Sequence, residues 1–223
     1  MSKQTAKPVD EFRNGIKEKA LDTVHKIFPA KVEHLTRLIN DMYKYDSLPF
    51  VSQMNEEDNK IKRIKMYHEL DKIYDGEHLI SKSIDEMLGQ LKNEVSELME
   101  YVNCVKIFIQ LNIPKIEDGN NFGVQVQEEA VNELSRAEES GFALLDTINK
   151  YFMTRGKVLS KVFKYPDNQD YKRGIKELDE KQIFSIRLSM VDLRNNYVIL
   201  YDMIQKNIDK IMKPRSSNAA ALY

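Results

Sequence analysis

The four histidines are the residues of this chain whose type could support metal chemistry. Helical di-iron sites place a Glu three residues before a His. The histidines and the residues at that spacing before them are His25 with Asp22, His34 with Lys31, His68 with Lys65, and His78 with Asp75. None of the preceding residues is Glu, and the chain contains no His-Glu-x-x-His zinc motif. We therefore interpret the histidines as solvated or packing residues and expect no metal.

Other motifs that bind phosphate or calcium are incomplete. The pair Gly156-Lys157 is similar to the end of a P-loop, but Tyr151 stands where the first glycine is required. Glu117 and Asp118 are not followed by the alternating acids of a calcium loop. No pattern indicates a nucleophile with its base. The sequence thus predicts a protein that is not an enzyme and has no cofactor.

The composition narrows the class of protein. The 223 residues are 42% hydrophobic and 31% charged, with only 8 Gly and 6 Pro, which favours long helices around a core. A net charge of −1 gives no support to nucleic-acid binding. The single cysteine, Cys104, lies in an apolar helical pattern and is predicted to be a core residue in a reducing compartment. Without a signal-peptide pattern or a long uncharged apolar run, we expect an intracellular soluble protein with no membrane partner.

Apolar residues at steps of three and four predict long amphipathic helices. The first stripe includes Val9 and Phe12, the third ends at Phe163, and Pro29 is expected to kink or interrupt the first helix. The predicted segments are helix 1 (1–44), a polar linker (45–75), helix 2 (76–113), a loop (114–125), helix 3 (126–165), a turn and helix 4 (166–213), and a tail (214–223). Long helices joined by short turns predict an all-α fold, an elongated antiparallel four-helix bundle forming one domain.

The fourth helix carries a seam typical of a coiled coil. Its members are Ile186, Met190, Leu193, Tyr197, Leu200, Ile204, Ile208 and Ile211. An alternative function follows from it, in which the protein is a scaffold or tether that dimerises through this helix.

The segment "PKIEDGNNFGVQVQEEA" interrupts the helical pattern at residues 114–130. Asp118-Gly119 is a turn pair, and Asn120 and Asn121 tolerate a left-handed backbone. From these residues alone, an ordinary helix connection with Phe122 folded back as a lid on the core is favoured over a binding loop.

A resemblance to a known family changes that interpretation. "IPKIEDGNNFGVQVQEE" resembles the activation loop of the 11S (REG) proteasome activators, and the similarity continues through "YPDNQDYKRGIKELDEK", "IRLSMVDLRNNYVILYDMIQKNIDKI" and "KPRSSN…LY". It covers about residues 98–223 closely and the first helix more loosely. The ending is most like that of the gamma-type subunits.

The resemblance implies a homoheptameric ring that docks on the α subunits of the core proteasome and opens its entry gate without ATP. The loop that opens the gate would be Ile116, Glu117, Asp118, Gly119, Asn120, Asn121, Phe122 and Gly123. The tail that docks would end in Ala221, Leu222 and Tyr223. A ring would also cover apolar stripes that are too wide for one bundle to bury, for which Tyr197, Tyr201 and Ile204 are the expected residues. A nuclear location, with the cytoplasm as a second one, is implied by the family.

Two further features qualify these expectations. The ending Ala221-Leu222-Tyr223 does not carry tyrosine at the penultimate position, as the hydrophobic–Tyr–X tails of ATPase activators do, so tail docking alone is not expected to open the gate. The linker between the first two helices is shorter than in gamma-type subunits, and its "KIKRIK" run at 60–65 is either an import signal or a solvated surface.

Overall fold

The computed structural model describes residues 7–45, 82–117, 119 and 121–215, and within them every regular element is a helix. The elements are α1 (Lys7–Asp22), a π-helical turn (Thr23–Ile27), α2 (Phe28–Tyr45), α3 (Lys82–Asn112), α4 (Phe122–Lys164) and α5 (Gln169–Met212). The predicted all-α class is therefore confirmed. Most of the predicted linker (45–75) and the last eight residues of the tail lie outside the described residues.

The predicted interruption near Pro29 is the π-helical turn between α1 and α2. The backbone N–H of Phe28 donates to the carbonyl of Thr23, five residues earlier. Proline lacks an N–H, and its ring crowds the carbonyl of the residue four positions before it. A wider turn just before Pro29 relieves that crowding, so the helix continues instead of ending.

Prolines and a capping asparagine set the other helix ends. α3 ends at Asn112, two residues before Pro114, because the residue before a proline disfavours helical geometry. The short turn that contains Pro166 leads into α5, where the side-chain oxygen of Asn168 accepts the N–H of Asp170 at 3.0 Å. This is an N-cap, and Asp170 in the first turn adds favourable charge at the helix start.

The chain divides into two compact units, each built from segments of the same four helices, with α1 and α2 counted as one. The loop unit takes its residues from Met1–Glu33, Val95–Ala143 and Leu193–Tyr223. The turn unit takes its residues from His34–Glu94 and Leu144–Asp192. In the loop unit, Val95–Ala143 runs through the connection from α3 to α4, and in the turn unit, Leu144–Asp192 runs through the turn from α4 to α5, as consecutive helices of an antiparallel bundle do.

Contacts inside the loop unit show the antiparallel pairing directly. Gln127 near the start of α4 reaches Asn112 at the end of α3, whereas Glu138 further along α4 pairs with Lys106 further back on α3. The start of α2 and α5 meet where the rings of Phe28 and Tyr197 pack edge to face, with 5.3 Å between the ring centroids. Both rings are fully buried.

The turn unit encloses a polar cluster within its core. Arg155 on α4 donates from Nε to both carboxylate oxygens of Asp179 on α5, at 3.0 and 3.3 Å. The hydroxyl of Tyr151 donates to the same carboxylate at 2.8 Å. All three side chains are almost completely buried. The Asp179 carboxylate holds the register of α4 against α5, because a shift of either helix would separate the buried carboxylate from the guanidinium of Arg155.

The seam on α5 faces the interior of the chain. Seven of its eight members are 3% exposed or less, namely Ile186, Met190, Leu193, Tyr197, Leu200, Ile204 and Ile211, and the eighth, Ile208, is half-buried. A dimerisation seam has to be available to a second chain, so the burial of these residues does not favour the alternative of a scaffold that dimerises through this helix. For the same reason the expectation that another subunit covers Tyr197 and Ile204 is wrong, whereas Tyr201 is half-buried.

Other members of the predicted stripes are uncovered. Val9 and Phe12 on α1 are 55% and 54% exposed, and Phe163 on α4 is 64% exposed. Periodicity identifies the apolar face of a helix but not whether a neighbouring helix extends far enough to cover it.

Candidate functional site

The connecting loop, residues 113–121, joins α3 to α4 in the loop unit. α4 begins at Phe122, four residues before the predicted start at Val126, because the carbonyl of Asn121 already accepts the N–H of Gln125 at 2.9 Å. Phe122 and Gly123 therefore lie in the first helical turn and not in the loop. Gly119 has a φ of +78°, a left-handed conformation that glycine adopts without strain, as expected for the turn pair.

Two apolar side chains, that of Ile116 within the loop and that of Phe122 at the start of α4, are exposed to solvent. Ile116 is fully exposed at 101%, and Phe122 is 70% exposed. The interpretation of Phe122 as a lid on the core is therefore wrong, because a lid would have lost most of its accessible surface. Large apolar residues exposed in a short loop and directly after it are typical of a surface that another protein covers.

Polar contacts fix the loop between these two residues. Asn121 donates from its amide to the carbonyl of Glu117 at 3.2 Å, which closes the loop on itself. The Glu117 carboxylate pairs with Lys115 at 2.7 Å. The hydrogen bond from Lys115 and, to a smaller extent, the charge of Arg215 hold the pKa of Glu117 below its ordinary value. Glu117 is thus an anion at neutral pH, with cations on both sides.

Arg215 ties this loop to the far end of the chain. Its NH1 atom donates to the Glu117 carboxylate at 2.9 Å, and its NH2 atom donates to the side-chain oxygen of Asn121 at 3.1 Å. Glu117 and Arg215 are 98 positions apart in the sequence. One guanidinium therefore holds two loop residues at once, a geometry that the planar fork of arginine favours.

A second set of contacts closes the end of α5. The amide of Asn112 donates to the carbonyls of Ile211 and Met212, at 2.5 and 3.2 Å. The amide of the fully buried Gln127 donates to the carbonyls of Ile211 and Asn112, at 2.8 and 3.2 Å. The last carbonyls of a helix have no partner within it, so two side-chain amides from α3 and α4 satisfy them here.

Gly123 lets the chain after α5 pass directly over the start of α4. A Cβ atom at this position would lie 2.0 Å from the carbonyl oxygen of Pro214 and 2.7 Å from its Cα. Only glycine permits such an approach of two backbones. We call Pro214 and Arg215 the tail root, because they connect α5 to the predicted docking tail. The tail root is held by Gly123 below and by Glu117 and Asn121 beside it.

The structure brings together Glu117, Asn121 and Gly123, and it places Ile116, Gly119 and Phe122 around them. Asp118, Asn120, Ala221, Leu222 and Tyr223 lie outside the described residues. The sequence did not indicate Arg215, Asn112 or Gln127 as parts of this site. Gln127 alone gave a usable signal, because a polar residue in helical register with Ala130 and Leu134 interrupts the apolar stripe.

The arrangement offers shape and hydrogen bonds rather than reactive groups. In the part of the chain that the structure describes, no cluster of three His, Cys, Asp or Glu side chains could hold a metal. None of the described helices is long and apolar enough to cross a membrane. What the site presents is a hydrogen-bonded loop with exposed apolar side chains, next to the tail root.

Comparison with known proteins identifies this arrangement. The family model described as "Proteasome activator PA28, C-terminal" matches residues 77–221, and the one described as "Proteasome activator PA28, N-terminal" matches residues 3–53. The chain belongs to the PA28 proteasome activator family. The resemblance to the 11S activators is confirmed.

Relatives of this PA28 protein match between 64% and 96% of the chain. "Proteasome activator complex subunit 3" of Homo sapiens is 38% identical over 240 residues, covering 96% of this chain and 94% of that protein. "Proteasome activator 28" of Dictyostelium discoideum is 38% identical over 143 residues, 64% of each chain. The first of these bears out the expected likeness to gamma-type subunits.

Solved structures share the fold. The 11S subunit of the Plasmodium falciparum proteasome, PA28, superposes with a TM-score of 0.75 at 34% identity, covering 96% of both chains. The activator in an archaeal 20S proteasome complex with a mutated P26 activator has a TM-score of 0.70 at 14% identity, over 98% of this chain and 99% of that one. At that identity the second likeness shows the four-helix fold alone.

Proposed function

We propose that this PA28 protein is an ATP-independent activator of the core proteasome. Its tails dock on the α subunits, and its connecting loop opens the entry gate. The proposal rests on membership of the family and on one structural observation: the loop and the tail root form a single hydrogen-bonded assembly through Arg215, Glu117 and Asn121. A device that docks with one segment and acts with another requires the two to be in fixed register.

The roles of the two segments differ in their physical demands. A flexible tail binds weakly by itself, because it loses conformational entropy when it becomes ordered on its partner. Several tails on one ring increase the effective concentration of each after the first has bound. The loop needs no affinity of its own. It needs a fixed position, which the contacts of Glu117 and Asn121 supply, and exposed side chains such as Ile116 and Phe122.

A homoheptameric ring is the second part of the proposal. Large apolar side chains remain exposed in each unit taken by itself. They are Phe142, Val198 and Ile199 in the loop unit, and Met153, Phe163, Phe184 and Leu188 in the turn unit. Exposed large apolar side chains in this number are what a neighbouring subunit would cover in a ring. These residues replace Tyr197 and Ile204 as the ones a neighbouring subunit would cover.

The activator is proposed to be non-catalytic and to act in the nucleus, with the cytoplasm as a second location. The first statement follows the family, whose members are named as activators of the proteasome. The second rests on the similarity to proteasome activator complex subunit 3 alone.

Hydrolysis of fluorogenic peptides by latent core proteasome, with and without this protein and without ATP, tests the proposal. We expect a large increase in rate that saturates with activator concentration. Native mass spectrometry of the same sample should show a mass of seven chains. A rate unaffected by saturating protein, or a stable monomer at micromolar concentration, would refute activation or the ring respectively.

Two variants separate docking from gate opening. Deletion from Ala220 onward should abolish binding to the core proteasome while the ring remains assembled. Asn121→Tyr removes the amide that joins Glu117 to Arg215, so it should preserve binding and eliminate stimulation. Pull-down and hydrolysis assays on the same preparations check both expectations. Normal stimulation by Asn121→Tyr would mean that the loop is only a connection.

A further inference from the structure

The side chain of Arg215 joins the base of the tail to the loop, although Arg215 is neither a loop residue nor one of the predicted docking residues. It lies after the end of α5, before the predicted docking residues, and its partners lie on the loop. Its side chain is only 20% exposed, whereas that of Glu117 is 45% exposed. The guanidinium is therefore packed against the protein rather than extended into solvent.

We propose that Arg215 is a positioning residue for gate opening, which couples the docked tail to the conformation of the loop. It holds Glu117 and Asn121 in the arrangement that acts on the gate, and it passes the fixed position of a docked tail to them. This inference rests on the proposed function and assigns a role within it to a residue outside both the loop and the docking end.

The contact between Pro214 and Gly123 explains how the position of the tail can affect the loop. Pro214 lies on the backbone of α4 at a distance that admits no side chain at position 123. Pro214 is thus fixed against the first turn of α4. Because Arg215 follows it directly, this contact sets where the guanidinium of Arg215 can lie. If the tail root moved, both hydrogen bonds from the guanidinium would break together.

A simple surface ion pair explains the geometry less well. Exposed pairs contribute little to stability, and Lys115 already neutralises Glu117. A second cation is then not needed to neutralise the carboxylate. The hydrogen bond from Arg215 to Asn121 has a different effect, because it fixes the orientation of a neutral amide that also closes the loop on Glu117. The role is therefore one of geometry rather than of net charge.

The test measures maximal stimulation and half-saturating concentration separately. Arg215→Met removes the fork but leaves the docking residues intact, so maximal peptide hydrolysis should fall about fivefold or more while the half-saturating concentration changes less than about twofold. Arg215→Lys keeps the charge but not the fork and should recover only part of the stimulation. Lys210→Met removes an equal charge from the exposed last turn of α5, and should behave as the unmodified protein.

A second variant guards against a misfolded ring. Glu117→Gln leaves the tail root unchanged and weakens the arginine contact from the loop side, so it should also lower maximal stimulation at unchanged half-saturation. Hydrogen exchange of residues 113–121 in the ring bound to core proteasome should increase in Arg215→Met and not in Lys210→Met. Native mass spectrometry establishes that each variant still forms the same assembly as the unmodified protein.

Each outcome decides between the alternatives. Equal effects of Arg215→Met and Lys210→Met, or a loss confined to half-saturation, would overturn the positioning role and leave Arg215 as a docking charge. Full activity of Arg215→Met would overturn it as well. If the unmodified protein does not stimulate the core proteasome, the proposed function fails, and the hydrogen-exchange comparison on the free ring still decides whether Arg215 orders the loop.

Discussion

Replacing Gly123 by alanine tests the packing of the tail root on α4. The added Cβ would lie 2.0 Å from the carbonyl oxygen of Pro214, and ordinary van der Waals contact begins near 3.4 Å. The two atoms must therefore separate by about 1.4 Å. The Cβ atom is attached to the backbone of α4, and the oxygen belongs to the backbone of Pro214. Because no flexible side chain can move aside, the separation must displace the tail root.

Alanine at position 123 should lower the free energy of unfolding, whereas alanine at an open helical glycine should raise it. Overpacking of this kind costs about 1–3 kcal/mol. Alanine in an open helical position instead stabilises by about 0.5–1 kcal/mol relative to glycine. Gly156 on the same helix α4 and Gly89 on α3 have no atom within 4 Å of the position that a Cβ would occupy, so they provide matched controls. For a chain of this length each kcal/mol shifts the melting temperature by about 2–4 °C.

Thermal unfolding of the three alanine variants at equal protein concentration is the assay. Gly123→Ala should melt several degrees below the unmodified protein, whereas Gly156→Ala and Gly89→Ala should melt at the same temperature or slightly above it. Native mass spectrometry must first show that all the variants have the same oligomeric state. If Gly123→Ala is stabilised as much as the controls, Pro214 does not rest on α4, and the support proposed for Arg215 is absent.

Three further predictions concern ionisable side chains. Asp179→Asn removes the buried carboxylate charge that pairs with the guanidinium of Arg155, so the free energy of unfolding should fall by about 3–5 kcal/mol in denaturation by guanidinium chloride. The Glu117 carboxyl, whose pKa is lowered chiefly by its hydrogen bond with Lys115, should titrate below 4.5 in carbon-13 NMR. Its contribution to loop order is then present above pH 4.5 and is lost as the pH falls through the lowered pKa. Burial raises the pKa of the Cys104 thiol, so thiol reagents should label it slowly at neutral pH until the protein is unfolded.

The first two of these predictions have a control variant, and each of the three has a result that would contradict it. Glu177→Gln removes an exposed ion pair with Arg173 and should change the free energy of unfolding by less than about 1 kcal/mol; an equal effect at Asp179 would contradict its burial. Lys115→Met should raise the titration midpoint of Glu117, and a midpoint already at or above 4.5 in the unmodified protein would refute the pairing. Rapid labelling of Cys104 in the folded protein would contradict its core position.

Local sequence determined the helices and their ends. Pro114 and Pro166 mark the ends of α3 and α4 because a proline restricts the residue before it, which is a rule that acts between neighbours. The seam of α5 was identified correctly as apolar because the helical period is a property of one segment. The connecting loop was located for the same reason, since Asp118-Gly119 breaks the helical pattern by its own conformational preference.

Only the tertiary structure decided which faces are covered and what holds the loop. Tyr197 and Phe12 both belong to predicted apolar stripes, yet the first is fully buried and the second is 54% exposed, because coverage depends on where another helix ends. Arg215 and Gly123 carry no local signal, since their partners lie far away in the sequence. A pattern along one segment encodes its own period and turns, whereas a contact between α4, the loop and the end of α5 exists only once the helices have packed.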